Sequence, residues 1–146
     1  MPTAELTRRV LFAAAHRYRR PEWDDARNAE TFGDCARPNF HGHSYVCDVT
    51  VSGPIDDATG MLVDLRLFDD ALGTAVRDHL DHRNLTLDIP AFAEVPGGMI
   101  PTGENLARYI AGRVETALKT PGATRNVRVS EVRVAEDATL WSTYRP

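Results

Sequence analysis

Three histidines stand at a spacing that metal chemistry can use. His41 and His43 lie two apart in Phe40-His41-Gly42-His43, and residues i and i+2 of an extended strand share a face. His16 closes the run Leu6 to His16, in which Leu6, Val10, Phe12, Ala14 and His16 fall on one parity. If the two segments pair as antiparallel strands, three imidazoles converge on one point. Three neutral imidazoles with one open position make a catalytic zinc site, whereas structural sites are closed by four protein ligands. The bland alternative is three unrelated surface or core histidines. An HGH flanked by apolar strand-like sequence favours the ligands.

Other side chains can do chemistry nearby. Cys35 precedes His41 by six positions on a polar stretch, where it can serve as a fourth ligand, a thiolate acid/base or nucleophile, or an idle side chain. Cys47 reads as a buried small hydrophobe on its strand. Asp81-His82 offers a carboxylate beside an imidazole, a pair that can hold one tautomer and shuttle a proton; its plain reading is a helix end with a favourable cation. His79 reads as structural. Thr102 and Glu104 read first as a helix N-terminus, cap and dipole partner, so any ligand role is additional. Glu136 ends a strand, where a carboxylate can accept two parallel hydrogen bonds from a flat amidine-like edge. Glu131 competes for that role. Five residues apart on a regular strand, the two face opposite ways, so one at most serves.

The elements that must position these groups are legible in outline. Strands are expected over 5–16 and 42–53, joined by a long polar loop from Arg17 to Phe40 that holds Arg17, Arg19, Arg20, Arg27 and Arg37. Long ordered loops carry function. Gly53-Pro54 and Thr59-Gly60 punctuate a turn. Asp64 opens a helix with Leu65, Phe68, Leu72, Val76 and Leu80 on one face. A second helix runs from Thr102 to Leu118 with Leu106, Ile110, Val114 and Leu118 inward, closed by Thr120-Pro121-Gly122. Strands over 125–136 and 139–145 follow, joined by a tight turn near Asp137-Ala138. The order ββααββ predicts an α+β domain, an antiparallel four-stranded sheet with both helices on one face. Its open face and edges favour assembly into a larger barrel.

Composition narrows the class. The 146 residues fit a single domain, 1–146, with a modest core. A net charge of −4 disfavours a general nucleic-acid or anionic-membrane surface. No apolar run reaches membrane-spanning length, no signal peptide opens the chain, and two cysteines make no disulfide framework, so a cytoplasmic protein is expected.

Taken together, Phe12-Ala-Ala-Ala-His16, Cys35 with His41-Gly42-His43 and Tyr45, Thr59-Gly60-Met61, Leu80-Asp81-His82-Arg83-Asn84-Leu85, Pro101-Thr102-Gly103-Glu104-Asn105 and Val134-Ala135-Glu136 resemble the 6-pyruvoyltetrahydropterin synthase family, across nearly the whole chain. The resemblance implies a tunnelling fold (T-fold) whose trimeric barrels stack into a homohexamer. It implies Zn2+ on His16, His41 and His43, and 7,8-dihydroneopterin triphosphate as substrate. Cys35 matches the proton-transfer cysteine. Asp81 and His82 match a pair that approaches that thiol from a neighbouring subunit. Glu136 matches the pterin-anchoring glutamate, and Glu104, with Thr102 at the same helix start, lies at the pterin pocket. Gly103 departs from the hydroxyl or alanine of some members.

The implied chemistry is a zinc-dependent lyase reaction. The thiolate removes a carbon-bound proton, triphosphate leaves, and an internal redox shift gives 6-pyruvoyltetrahydropterin. The arginine-rich loop is the expected source of cations for the phosphates. A sister activity takes the same substrate to 6-carboxytetrahydropterin, releasing acetaldehyde and triphosphate for deazapurine and queuosine pathways. Five residues separate Cys35 from His41 here, as in pyruvoyl-type members, against three in the carboxy-type pattern. A noncatalytic zinc or pterin-binding module would lack an acid/base set, yet Cys35, Asp81 and His82 are present. A zinc hydrolase would need a general-base carboxylate in an HExxH or HxE…CxxC pattern, and none occurs.

Overall fold

The computed structural model describes residues 2–119 and 126–146. Strand β1 (Thr3–His16) and β2 (His41–Pro54) pair antiparallel along their full length, from Thr3 opposite Pro54 to His16 opposite His41. The alternation that predicted β1 is the alternation it buries: Val10, Phe12, Ala14 and His16 turn into the core. On β2 the matching row is Tyr45, Cys47, Val49 and Val51. A slip of one residue would turn every one of them outward.

Beyond β2 lie β4 (Arg128–Asp137) and β5 (Leu140–Tyr144), each antiparallel to its neighbour. At the other edge β3 (Arg83–Asn84) pairs parallel with Ala14 and Ala15 of β1. The sheet therefore has five strands in the order β3-β1-β2-β4-β5 and is mixed, not a four-stranded antiparallel sheet. A two-residue strand carries no hydrophobic period, so nothing in the sequence marks it.

Asp64 caps α2 (Leu65–Leu72) by accepting from the Arg66 amide. The helix continues through a π turn, Gly73–Arg77, into α3 (Asp78–Leu80). Phe68, Leu72, Val76 and Leu80 are spaced by four throughout, wider than an α-helix repeats. The wider π turn takes up that drift and keeps all four buried. Leu65, expected on the same face, is 45% exposed. Short α4 (Leu85–Asp88) follows β3. Helix α5 (Gly103–Leu118) buries Leu106, Ile110, Val114 and Leu118, as its spacing requires. It packs on β4 and β5, and α2 packs against it. The expected stop at Thr120-Pro121-Gly122 lies outside the described residues.

The segment from Arg17 to Phe40 is not simply a loop. It holds α1 (Asp25–Phe32), capped by the Asp24 side chain on the Arg27 amide, and a 3-10 turn over Gly33–Ala36. Its organiser is Asn28, only 1% exposed. That side chain accepts from the Arg20 amide and donates to the carbonyls of Arg20, Trp23 and Asp24. A fully satisfied buried amide holds together a segment too polar to hold itself by packing.

Candidate metal centre

The register of β1 and β2 places His16 beside His41, and the pleat puts His43 on the same face. Ring centroids are 4.6 Å apart for His16 and His41, 5.2 Å for His16 and His43, and 5.1 Å for His41 and His43. One ligand atom from each residue falls within 4.8 Å of the other two. Phe40, with φ 63°, turns the chain into β2 immediately before the first of the pair.

His16 is fully buried, and its Nδ1 lies 2.8 Å from the Pro101 carbonyl oxygen. A carbonyl only accepts, so the proton sits on Nδ1 and Nε2 presents a lone pair. Such an outer-shell carbonyl is what fixes the tautomer of a metal-bound imidazole. The Tyr45 hydroxyl lies 3.2 Å from the same Nδ1. Burial, together with the neighbouring imidazoles, pushes the His16 pKa down to about 4. His41 is lowered too, chiefly by burial and then by His43. The Nε2 atoms of His16 and His43 are buried with no hydrogen-bond partner. Buried polar atoms are costly when unpaired. Two buried imidazole nitrogens without a partner, beside a third histidine, fit a bound divalent metal ion.

Glu136 stands on the same face as Val132 and Val134, and the register between β4 and β5 shifts between Ala135 and Asp137. Bulges of this kind re-aim a side chain beside a site. Its side chain is 10% exposed, with Oε2 3.7 Å from His43 Nε2 and Oε1 3.4 Å from the Tyr18 hydroxyl. Glu131 points the other way and pairs with Arg145 at 2.7 Å, which leaves Glu136 as the carboxylate at the histidines. At the start of α5, a Cβ on Gly103 would lie 4.0 Å from Glu136 Oε1 and 2.7 Å from Ser142 Oγ. A side chain at this position would not fit without moving Ser142. Thr102 spends its hydroxyl on the Asn105 amide as the helix cap, and Glu104, on the exposed side, accepts from Ser142 Oγ at 3.1 Å.

Cys35 is half-buried on the 3-10 turn. Its carbonyl accepts from the Tyr18 amide at 2.8 Å. Burial pushes the thiol up, and the nearby Glu136 and Asp34 carboxylates push the same way. Asp81 and His82 are not part of this group within one chain. Asp81 accepts from the Ala13 amide at 2.8 Å and sits 3.1 Å from His82 Nδ1. His82, with φ 59° and a side chain 84% exposed, borders an open cleft lined also by Ala13, Ala15, His43 and Ser44. Cys35 therefore has no imidazole of its own chain's Asp–His pair beside it.

The arginines of the 17–40 segment make contacts within the chain. Arg17 pairs with Glu94, Arg19 with Asp25 and Arg37 with Asp34. Arg20 donates to the Gly98 carbonyl, and Arg27 stacks on Trp23. Two contributors escaped the sequence reading. The Pro101 carbonyl gave no signal, being main chain. Tyr18 did, because it continues the parity of Ala14 and His16 past the end of β1.

The model of the family described as 6-pyruvoyl tetrahydropterin synthase matches residues 5–146. The chain belongs to that family. Relatives in the 6-pyruvoyl tetrahydropterin synthase family include the 6-pyruvoyl tetrahydrobiopterin synthase of Drosophila melanogaster, 42% identical over 130 residues, 89% of this chain and 75% of the relative. The human protein of that name is 40% identical over 128 residues, 88% of this chain and 85% of the relative. The solved structure of the Caenorhabditis elegans 6-pyruvoyl tetrahydropterin synthase superposes with a TM-score of 0.87 at 32% identity, covering 100% of this chain and 97% of that one. A 6-carboxy-5,6,7,8-tetrahydropterin synthase from Bacillus subtilis also matches, at 32% identity over 117 residues, 80% of this chain and 74% of the relative.

Proposed function

We propose that the chain converts 7,8-dihydroneopterin triphosphate to 6-pyruvoyltetrahydropterin with loss of triphosphate, using Zn2+ on His16, His41 and His43. The observation that carries this reading is the convergence of three imidazoles with a buried carboxylate, Glu136, 3.7 Å from one of them, in a chain 42% identical to a protein named for that activity. When bound, zinc supplies Lewis-acid polarisation of the substrate's side-chain oxygens. The protein's own groups do the rest. Glu136 accepts the two N–H donors of the pterin edge, while the start of α5, with Thr102 and Glu104, closes the pocket beside it. Cys35 takes the carbon-bound proton from the side chain held between metal and ring.

A thiol pushed up by burial and carboxylates needs a cation to become a thiolate. His82, held by Asp81 and exposed, fits that task from a neighbouring chain. Both sheet edges favour assembly. Among the described residues β3 pairs with Ala14 and Ala15 alone, and the rest of β1's outer edge has no strand beside it. These features support a homohexamer with sites at subunit interfaces.

The deciding experiment is anaerobic incubation of the zinc-loaded protein with 7,8-dihydroneopterin triphosphate and identification of the pterin by mass. The expected product keeps the three-carbon side chain. The five-residue spacer from Cys35 to His41 supports that outcome. Acetaldehyde with a 6-carboxy product would transfer the chain to the sister activity, and pterin binding with no triphosphate release would make it a binding module.

A further inference from the structure

We propose that Tyr18 is a substrate-positioning residue, whose hydroxyl aims the Glu136 carboxylate at the pterin while its main chain anchors the turn that bears Cys35. The proposal rests on the pterin-synthase reading and assigns a further residue to that site. Tyr18 meets Cys35, His16, His41 and Glu136. Its amide donates to the Cys35 carbonyl at 2.8 Å. Its ring stands edge-on to His16 at 5.1 Å and 78°, and to His41 at 6.5 Å and 63°. Phe32, the last residue of α1, packs edge-on at 5.9 Å and holds the ring from the other element. The hydroxyl reaches Glu136 Oε1 at 3.4 Å.

The physical need for such a residue comes from Glu136 itself. The terminal torsion of a glutamate is broad, yet a fork of two hydrogen bonds requires both carboxylate oxygens in one plane facing the ligand. Oε1 is placed by Tyr18. That oxygen has a second lone pair, so the contact leaves the fork free to receive a ligand. At 3.4 Å the Tyr18 contact is longer than an ordinary O–H···O hydrogen bond, so its contribution is modest. Tyr18 is thus the joint through which the pterin anchor and the proton-transfer turn share one frame.

Tyr18→Phe keeps the ring and the main-chain bond and deletes only the hydroxyl. Fluorescence titration with 7,8-dihydroneopterin, which lacks the triphosphate, reads pterin affinity apart from turnover. The expected result is a dissociation constant raised roughly 5- to 10-fold, the loss of one long hydrogen bond of ordinary strength, with KM for the triphosphate raised by a similar factor. The kcat should stay within about twofold, and zinc content and melting midpoint should be unchanged, because the remaining contacts are kept. In a Glu136→Gln background the same substitution should add less than about twofold, since both act through one contact. An unchanged dissociation constant, a fall in kcat alone, loss of zinc, or full additivity with Glu136→Gln would each overturn the proposal. A wild-type protein that binds no pterin would overturn it through the reading on which it rests.

Discussion

At the scale of single residues, the proposed function separates groups that would hold a metal from a thiol that would move a proton. Three imidazoles satisfy the ligand count of an open zinc site, so purified His43→Ala should lose most of its metal by elemental analysis, whereas Cys35→Ala should retain it. Metal loss from Cys35→Ala would make the thiol a fourth ligand. The His16 environment adds a dependence on pH. Its pKa is depressed to about 4 in the folded chain, mainly by burial, against about 6.5 when unfolded. A lowered histidine favours folding while it is neutral in both states, above about pH 6.5. Below that the unfolded state takes up the proton first, and the contribution drains away down to about pH 4. Metal-free protein should therefore lose stability across that window, by at most about 3 kcal/mol, and His16→Gln should flatten the profile in a pH series of denaturant melts. The histidines were legible in the sequence because strand parity dictates their direction. Pro101 was not, since it acts through its main chain; Tyr18 carried only the strand's parity, continued past the end of β1.

The elements show where sequence patterns carry weight and where they fade. Strands β1 and β2 and helix α5 follow their apolar periods almost residue for residue, because each buries one face. Helix α1 escaped notice because Asp25–Phe32 buries Asn28 alone; its surviving signal was the Asp24 cap. The start of α5 is where element geometry meets the site. An alanine at position 103 would bring its Cβ to 2.7 Å from Ser142 Oγ. The serine must rotate and give up its bond to Glu104. Gly103→Ala should cost about 1 kcal/mol, one modest hydrogen bond, and raise KM, since Glu136 adjoins the same spot. In a Ser142→Ala background the cost should vanish, because the obstructing atom is gone and alanine favours the helix. Equal destabilisation in both backgrounds, measured by urea melts, would mean that backbone crowding rather than the serine excludes a side chain there.

At the scale of the molecule, the proposed function draws on two groups that lie apart in one chain. Cys35 lies near Tyr18 and Glu136, and the Asp81-His82 pair borders an open cleft. Mixing inactive Cys35→Ala with inactive His82→Ala protein, with subunit exchange confirmed by mass, should restore part of the activity, because some sites then draw an intact thiol and an intact imidazole from different chains. No rescue after exchange would place the working set within a single chain, and a monomer at micromolar concentration would end the shared-site account. The uncovered edge of β1 has a consequence for the life of the newly made chain. If the chain assembles as proposed, then until a partner arrives the stretch of β1 that has no strand beside it among the described residues can accept an extended peptide, its own kind out of register included. Glu5, Arg8 and Arg9 lie along it, and charges there discourage indiscriminate pairing. Scarcity is then the hazard: at low abundance the chain waits longer in its adhesive form, so a cell that makes little of it risks losing more of it to misassembly.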